Sequence, residues 1–202
     1  AGKPTDWIKM KIDPEIFEEL GVRDPEETKR EMAITKKTRQ INKELKADPN
    51  NLDLQVELAT LMIDGASYED AIKMLMAIRN KRPKDAKVYK LLGTAYVLFN
   101  HEEEAMLEMN RACELDPSDA ENHFNLGGLY LLRDMYSNAA TSFEKVIELD
   151  PSDTTAYANL AAAYDMLKLY DKEIVALKKV LMFNPEDKEL RAALSNAYFH
   201  AE

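Results

Sequence analysis

The chain has 202 residues, of which 46% are hydrophobic, enough for one compact domain or one short repeat array. Its net charge of −10 argues against nucleic acid as a partner, because phosphate binding needs a basic surface. One cysteine, Cys113, excludes an internal disulfide. No apolar run approaches the ~18 residues of a membrane span, so we expect a soluble protein.

The compartment stays open at this stage. No signal peptide is visible. A start at Ala1 is compatible with a processed end after export, with removal of an initiator methionine, or with a trimmed end. The protein is therefore expected to be cytoplasmic or, if Ala1 is a processed N-terminus, exported.

The first part of the chain differs from the rest. Residues 1–24 form an arm with large apolar side chains, among them Trp7, Ile8, Ile12 and Phe17. Residues 25–49 hold one long helical pattern that ends in Asp48-Pro49. Within it, residues 29–46 carry seven basic and two acidic side chains, so this helix is locally basic on an acidic chain.

Prolines recur at a fixed interval through the remainder. They lie at Pro49, Pro83, Pro117, Pro151 and Pro185, which is a constant 34-residue spacing. A fixed period of this size is typical of stacked supersecondary units.

The residues between the prolines repeat as well. Each copy begins with a large residue in most cases, followed by a large residue next to a small one, and then by another large residue that is usually Tyr. Two further residues at fixed positions come before the proline. In the second copy these are Tyr89, Leu92, Gly93, Tyr96, Ala105, Met109 and Pro117. In the third copy they are His123, Leu126, Gly127, Tyr130, Ala139, Phe143 and Pro151. In the fourth copy they are Tyr157, Leu160, Ala161, Tyr164, Glu173, Leu177 and Pro185. In the weaker first copy they are Gln55, Leu58, Ala59, Met62, Ala71, Leu75 and Pro83.

This pattern resembles the tetratricopeptide repeat over residues 50–202. The resemblance implies an all-α fold, a right-handed α-solenoid of tandem 34-residue helix-turn-helix repeats. Four repeats would cover about 52–83, 86–117, 120–151 and 154–185, and residues 186–202 would form a half-repeat or capping helix. The chain departs from the family pattern at Gln55, His123 and Glu173.

Physical arguments predict the same helices. Each unit has two stretches with apolar residues at the helical period, and small residues such as Gly93 and Gly127 allow close helix contact. Asp-Pro-Ser-Asp at 116–119 and 150–153 ends one helix and caps the next. Besides 25–47, we expect helices near 52–64, 68–81, 86–99, 102–115, 120–132, 136–149, 154–167, 170–183 and 187–200.

Candidates for chemistry are few. Cys113 has no partner pattern for nucleophilic catalysis, and His101, His123 and His200 lack metal-ligand spacing. No phosphate loop, haem motif or paired-carboxylate motif is present. The sequence therefore predicts no enzyme, no catalytic residue, no cofactor and no metal.

The resemblance implies that the first helices of successive repeats line a concave groove. It also argues against the carboxylate clamp of some members, since Lys90 is followed by Thr94 rather than Asn. The groove is expected to bind an amphipathic helix or apolar peptide of a partner protein, unless some of its residues are core between repeats. The predicted groove residues are Val56, Ile63, Lys87, Lys90, Val97, Leu98, Phe124, Leu131, Leu132 and Met166.

An alternative function is self-assembly. Helix 25–47 lacks a preceding first helix and helix 187–202 lacks a second, so stacking of two copies head to tail could complete a repeat and build a filament. Both helices could equally be end caps. The candidate assembly contacts are Trp7, Ile8, Ile12, Phe17, Ile41, Leu45, Leu194, Tyr198 and Phe199.

Overall fold

The computed structural model describes residues 24–201, and in this part it consists of α-helices without strands. The predicted contacts Trp7, Ile8, Ile12 and Phe17 lie outside the described residues. The helices are α1 (Pro25–Ala47), α2 (Leu52–Asp64), α3 (Tyr68–Lys81), α4 (Ala86–Leu98), α5 (Glu102–Leu115), α6 (Ala120–Leu132), α7 (Tyr136–Leu149), α8 (Thr154–Met166), α9 (Tyr170–Phe183) and α10 (Lys188–Ala201).

The all-α repeat architecture predicted from the sequence is confirmed. Every predicted helix in the described range is present, and each observed end lies within one residue of its prediction. The helices α4 and α8 end at Leu98 and Met166, one residue early, because Phe99 and Leu167 already serve as C-caps.

The chain divides into two compact units, and each is described by itself. In the first, up to Ser67, α1 packs against α2 and buries Ile41. The second runs from Tyr68 and holds α3–α10, in which consecutive helices pack together. Its larger core includes Met109 and Phe143, and a smaller core around Ile174 includes Ala197 of α10.

Five capping side chains explain why first helices start once in every repeat. The side chains accept hydrogen bonds from backbone N–H groups of the first turn at 2.9–3.2 Å. In both Asp-Pro-Ser-Asp stretches the second aspartate is the cap, whereas the serine binds the first aspartate. The capping residues are Asn51, Asp85, Asp119, Asp153 and Asp187.

The turn inside each repeat is also the same four times. One residue there has a φ of 55–59°, the left-handed region, although none of the four is glycine. The next N–H then donates to a carbonyl five residues back at 2.7–2.8 Å, which closes the helix end as in a Schellman motif. The left-handed residues are Ala66, Asn100, Asp134 and Lys168.

The residues at the first motif position bind the chain that enters the repeat. Although Gln55, Tyr89 and His123 differ in type, each side chain bonds the carbonyl of the proline six residues earlier, at 2.7–3.1 Å. Two departures from the family pattern, Gln55 and His123, therefore keep a hydrogen bond that Tyr89 makes.

Four tyrosines link neighbouring repeats of the second unit. Each lies on a first helix and contacts the same position on the preceding second helix. The contacted side chain varies from thioether to amide, carboxylate and ammonium, so the geometry is kept while the chemistry changes. The pairs are Tyr96 with Met76, Tyr130 with Asn110, Tyr164 with Glu144, and Tyr198 with Lys178.

Close helix contact depends on two glycines, as the sequence predicted. A Cβ built on Gly93 would lie 2.6 Å from Met109 Cγ, and one on Gly127 would lie 2.9 Å from Phe143 Cε1. Real Cβ contacts are longer, so the neighbour has to move in both cases; the rigid ring of Phe143 can do this only if the helices separate, whereas the Met109 side chain can repack. A Cβ on the adjacent Gly128 would meet nothing within 4 Å.

We predict that Gly127→Leu lowers the free energy of unfolding by about 1–3 kcal/mol through overpacking against Phe143. The melting temperature should then fall by about 2–4 °C for each kcal/mol. The control is Gly128→Leu, which starts in open space and gains helix propensity. Thermal melts that give both variants the same temperature would contradict this placement.

Candidate functional site

Burial divides the predicted groove residues into groups. Val56 and Ile63 belong to the first unit and are buried, so they offer almost no surface to a ligand. Val97, Phe124 and Leu131 are half-buried in the second unit and pack against its larger core. The ring of Phe124 meets that of Phe143 edge-on, with 5.6 Å between centroids.

The exposed apolar residues of the predicted groove form one row. Leu98 is 45% exposed, Leu132 67% and Met166 54%, and they lie one repeat apart at the ends of α4, α6 and α8. We call these three residues the apolar row. Lys87 is exposed as well, at the start of α4.

Lys90 is held by an intramolecular pair of carboxylates. Its Nζ lies 2.9 Å from Asp119 Oδ2 and 2.7 Å from Glu121 Oε2. Burial alone would lower the pKa of Lys90, but the hydrogen bonds to the two carboxylates raise it above its usual value. This ammonium ties α4 to the start of α6 and has its carboxylate partners already, which supports the case against a carboxylate clamp.

The accessible residues on one side of the first helices define an open face. On α6 they are spaced by four, three and four residues, so they share one side of the helix. The same spacing recurs on α4 and α8. The open face consists of these exposed and half-exposed residues: Lys87, Leu91, Thr94, Leu98, Glu121, Asn125, Gly128, Leu132, Thr155, Asn159, Ala162 and Met166.

The groove predicted from the sequence lacks Leu91, Asn125 and Asn159. It contains instead their neighbours Lys90, whose ammonium is paired with Asp119 and Glu121, and Phe124, which packs against the larger core. No described residue hydrogen-bonds the side-chain amides of Asn125 and Asn159, which are half-exposed. The signal that could have found them is the helical spacing from Leu132 back to Asn125 and from Met166 back to Asn159.

The open face changes in chemistry along the helix direction. Its first residues are charged or polar, the next include two amides, the third are small or hydroxylated, and the last form the apolar row. Gly128, in the third group, has no described neighbour where a side chain would begin. A ligand segment could therefore approach the backbone of α6 closely beside the exposed Leu132.

The predicted assembly contacts also divide by burial. Ile41 is buried and Leu45 half-buried within the first unit. Leu194 is half-buried and packs against the smaller core of the second unit. Tyr198 is 45% exposed and Phe199 75% exposed, so α10 presents aromatic surface.

The reactive groups of the described part are protected or solitary. Burial, with a smaller contribution from Asp119, raises the pKa of the Cys113 thiol to about 11, so the nucleophilic thiolate is scarce. His101 and His200 stack on the rings of Phe99 and Tyr170. Among residues 24–201, no three His, Cys, Asp or Glu side chains cluster as metal ligands would, and no helix could cross a bilayer.

Glu173 is a buried carboxyl at an unusual place. It stands on α9 where the earlier second helices have Ala71, Ala105 and Ala139. Only 5% of the residue is exposed, and Oε2 has no hydrogen-bond partner among the described residues. Burial, and to a lesser degree the charge of Asp165, raises the pKa of Glu173. Folding therefore makes this carboxyl harder to ionise.

Comparison with known families identifies the class. Models of the tetratricopeptide repeat match residues 40–95, 86–119 and 120–153. Together these segments cover residues 40–153, more than half of the chain. The chain therefore belongs to the tetratricopeptide repeat family. Comparison with curated proteins gives no match.

Solved structures of similar fold support this class. MamA is 27% identical, with a TM-score of 0.70 over 81% of this chain and 96% of that one. YrrB, described as a TPR protein with an unusual peptide-binding site, is 23% identical, with a TM-score of 0.64 over 84% of each chain. A thermophilic TPR protein of Thermus thermophilus is 20% identical, with a TM-score of 0.56 over 80% of this chain and 89% of that one.

We predict that Glu173→Gln stabilises the protein at neutral pH and loses this advantage in acid. Because the pKa of Glu173 is raised by folding, its favourable neutral form is fully present below the ordinary value of 4.5. The stabilising contribution of this neutral carboxyl is lost as the pH rises through the pKa that Glu173 has in the folded protein. Glutamine removes the charge, so thermal melts between about pH 4 and about pH 8 should show a difference from the parent that grows with pH.

The matched control for this series is Glu57→Gln, an exposed glutamate in the middle of α2. Its melting temperature should follow the parent at every pH. If the melting temperatures of Glu173→Gln and the parent differed by the same amount at every pH, ionisation of Glu173 would not destabilise the fold, and the prediction would be contradicted.

Proposed function

We propose that the chain is a non-catalytic scaffold whose open face binds an amphipathic helix or apolar peptide of another protein. The observation that carries this proposal is the apolar row. Leu98, Leu132 and Met166 leave apolar surface exposed at one repeat position in three successive repeats, beside small residues. Regularly spaced apolar surface of this kind marks interaction sites.

The geometry favours a ligand with one apolar side. The apolar row would receive that side, as in helix-in-groove recognition. Polar residues at the other end of the open face, such as Lys87 and Thr155, would meet the polar side of the ligand. The half-buried Val97 and Leu131 form the floor beside the row rather than its contact surface.

The absence of catalysis in this proposal rests on two supports. The family's repeats generally act as protein-interaction scaffolds. The sole cysteine is buried with a raised thiol pKa, which suits a structural role.

The exposed aromatic surface of α10 favours a second candidate function, head-to-tail assembly of copies. At the position where Gly93 and Gly127 meet a second helix, α10 has the small residue Ser195, which is exposed. Phe199 and Tyr198 are exposed on the same helix. In this alternative, α10 of one copy would stack on the basic α1 of another.

We predict that Leu132→Asp weakens binding of groove ligands by about 10-fold to 100-fold, the loss expected when one leucine is no longer buried. The probes are peptides selected on the parent protein from a random displayed library, with affinities measured by titration. The control is Leu107→Asp, because Leu107 is 69% exposed on α5, outside the open face. Peptides that bind Leu132→Asp as the parent but lose affinity for Leu107→Asp would move the site to the second helices.

We predict for the alternative that the parent's mass by light scattering rises with concentration and that Phe199→Asp abolishes the rise. A charge at that position would be desolvated unfavourably in any stacked interface. Leu107→Asp again serves as the control with a similarly exposed apolar side chain. A parent mass that stays at 23.0 kDa across a wide concentration range would remove this alternative.

A further inference from the structure

The outward side of α9 has a composition that differs from the acidic character of the chain. Its exposed residues include three lysines, Lys172, Lys178 and Lys179, with Val175 and Met182 between and after them. Val175 is 61% exposed and Met182 74%. These five residues are called the basic face of α9.

The equivalent faces of the two preceding second helices are acidic. On α5 the exposed charges are Glu103, Glu104 and Glu114 against one Arg111. On α7 the exposed acids are Glu144 and Glu148, and the one base, Lys145, has a side chain that is 40% exposed and is paired with Glu148. On α9 the three lysines stand against one exposed carboxylate, Asp171 in the first turn, so this helix keeps an excess of positive charge where its counterparts have an excess of negative charge.

The apolar part of the face is also specific to α9. The positions of Val175 and Met182 correspond to Thr141 and Glu148 of α7. On α5 the first of these positions holds an exposed leucine, Leu107, but the second holds a glutamate. Among these three helices, only α9 therefore has exposed apolar side chains at both positions. They lie about two helical turns apart and are accompanied by lysines.

The basic face points outward because of the position of its residues in the repeat. Its exposure does not result from the absence of a following helix. Thr141 and Glu148 are both exposed although α7 packs between α6 and α8. A helix stacked after α10 would therefore leave Val175 and Met182 uncovered.

The lysines of this face have no carboxylate partner among the described residues. By contrast, Lys73 of α3 is paired with Glu69 at 2.7 Å, and Lys145 of α7 with Glu148 at 2.7 Å. On α9, Lys172 lies over the Tyr164 ring at 5.3 Å and Lys178 over the Tyr198 ring at 5.2 Å. A tyrosine ring does not neutralise an ammonium, so the positive charge of the face is kept.

We propose that the basic face of α9 docks the protein peripherally on an anionic lipid bilayer. Lysines alternating with exposed apolar side chains on one helix side are the arrangement by which interfacial helices bind anionic membranes. Val175 and Met182 enter the boundary between headgroups and acyl chains, while the lysine ammoniums stay at the phosphate level. An outward helix surface can meet a bilayer without the groove that a peptide ligand needs.

The net charge of −10 opposes this docking only at long range. At physiological ionic strength the Debye length is about 8 Å, so carboxylates farther from the bilayer are screened. Lysines at the surface each contribute a factor of about five to the partition coefficient. Three lysines in contact, offset by the one exposed carboxylate of Asp171 on the same helix, therefore outweigh a screened acidic excess on the rest of the chain.

The charge part is tested by sedimentation of the whole chain with vesicles of phosphatidylcholine, with and without about a quarter of phosphatidylserine, at physiological salt. We expect binding to the anionic vesicles alone. Lys179→Glu should weaken it at least about five-fold, whereas Lys73→Glu, the same change on α3, should leave it unchanged. Equal binding to both vesicle types, or equal effects of both variants, would overturn the proposal.

The apolar part is tested by Val175→Thr combined with Met182→Gln, which leaves the net charge unchanged. The fold should accept both, since Thr141 and Asn80 stand at the equivalent positions of α7 and α3. Binding to anionic vesicles should fall about ten-fold, as expected for losing two partly buried side chains. Vesicle binding equal to that of the parent would overturn the proposal.

Two further readouts separate this face from other partners. Binding of library-selected groove peptides should be unaffected by Lys179→Glu. The groove proposal and the membrane proposal can therefore fail independently of each other. If the parent ignores anionic vesicles but its mass by light scattering drops on the Val175→Thr and Met182→Gln change, the face joins copies of the chain and the membrane proposal is overturned.

Discussion

The close contact between the two helices of a repeat is the constraint on which the second unit depends. At Gly127 the backbone of α6 comes so near the Phe143 ring that no side chain fits. At Gly93 a Cβ would lie 2.6 Å from Cγ of the flexible Met109 side chain. Because α4 and α6 are held this closely to their second helices, their opposite sides are set in orientation, and those sides carry much of the open face. A wider spacing would rotate residues such as Leu132 out of their common row.

The sequence predicted the helices well because each boundary is encoded locally. An aspartate or asparagine cap and a proline two residues earlier recur at 34-residue intervals, and neither needs long-range information. Even residues that depart from the family pattern, such as Gln55 and His123, keep the local hydrogen bond to the proline carbonyl. Boundaries defined by such short-range contacts can be predicted from the sequence alone.

The candidate site could be predicted only in part, because exposure is decided by neighbouring repeats. The periodicity places Leu131 and Leu132 side by side on one helix, but only packing shows that Leu131 lies against the core and Leu132 faces outward. In the sequence Lys90 resembles a free groove cation, whereas its two carboxylate partners lie in the next repeat. The helical spacing leads from Leu132 to Asn125 and from Met166 to Asn159, but it can be used only once Leu132 and Met166 are known to lie on the open side.

The repeat provides its own internal standard for recognising unusual features. A position occupied several times by equivalent residues shows what the fold requires there, and α9 departs from this standard on two sides. Inward, Glu173 replaces an alanine and leaves a carboxylate oxygen without a described partner. Outward, Val175 and Met182 replace the polar residues of α7 among lysines without a described carboxylate partner. Neither departure improves packing or solubility, since a buried carboxyl oxygen without a hydrogen-bond partner and exposed apolar surface both cost free energy. The outward departure is the one on which the proposed docking to an anionic bilayer rests, whereas the inward one determines the pH dependence expected for Glu173.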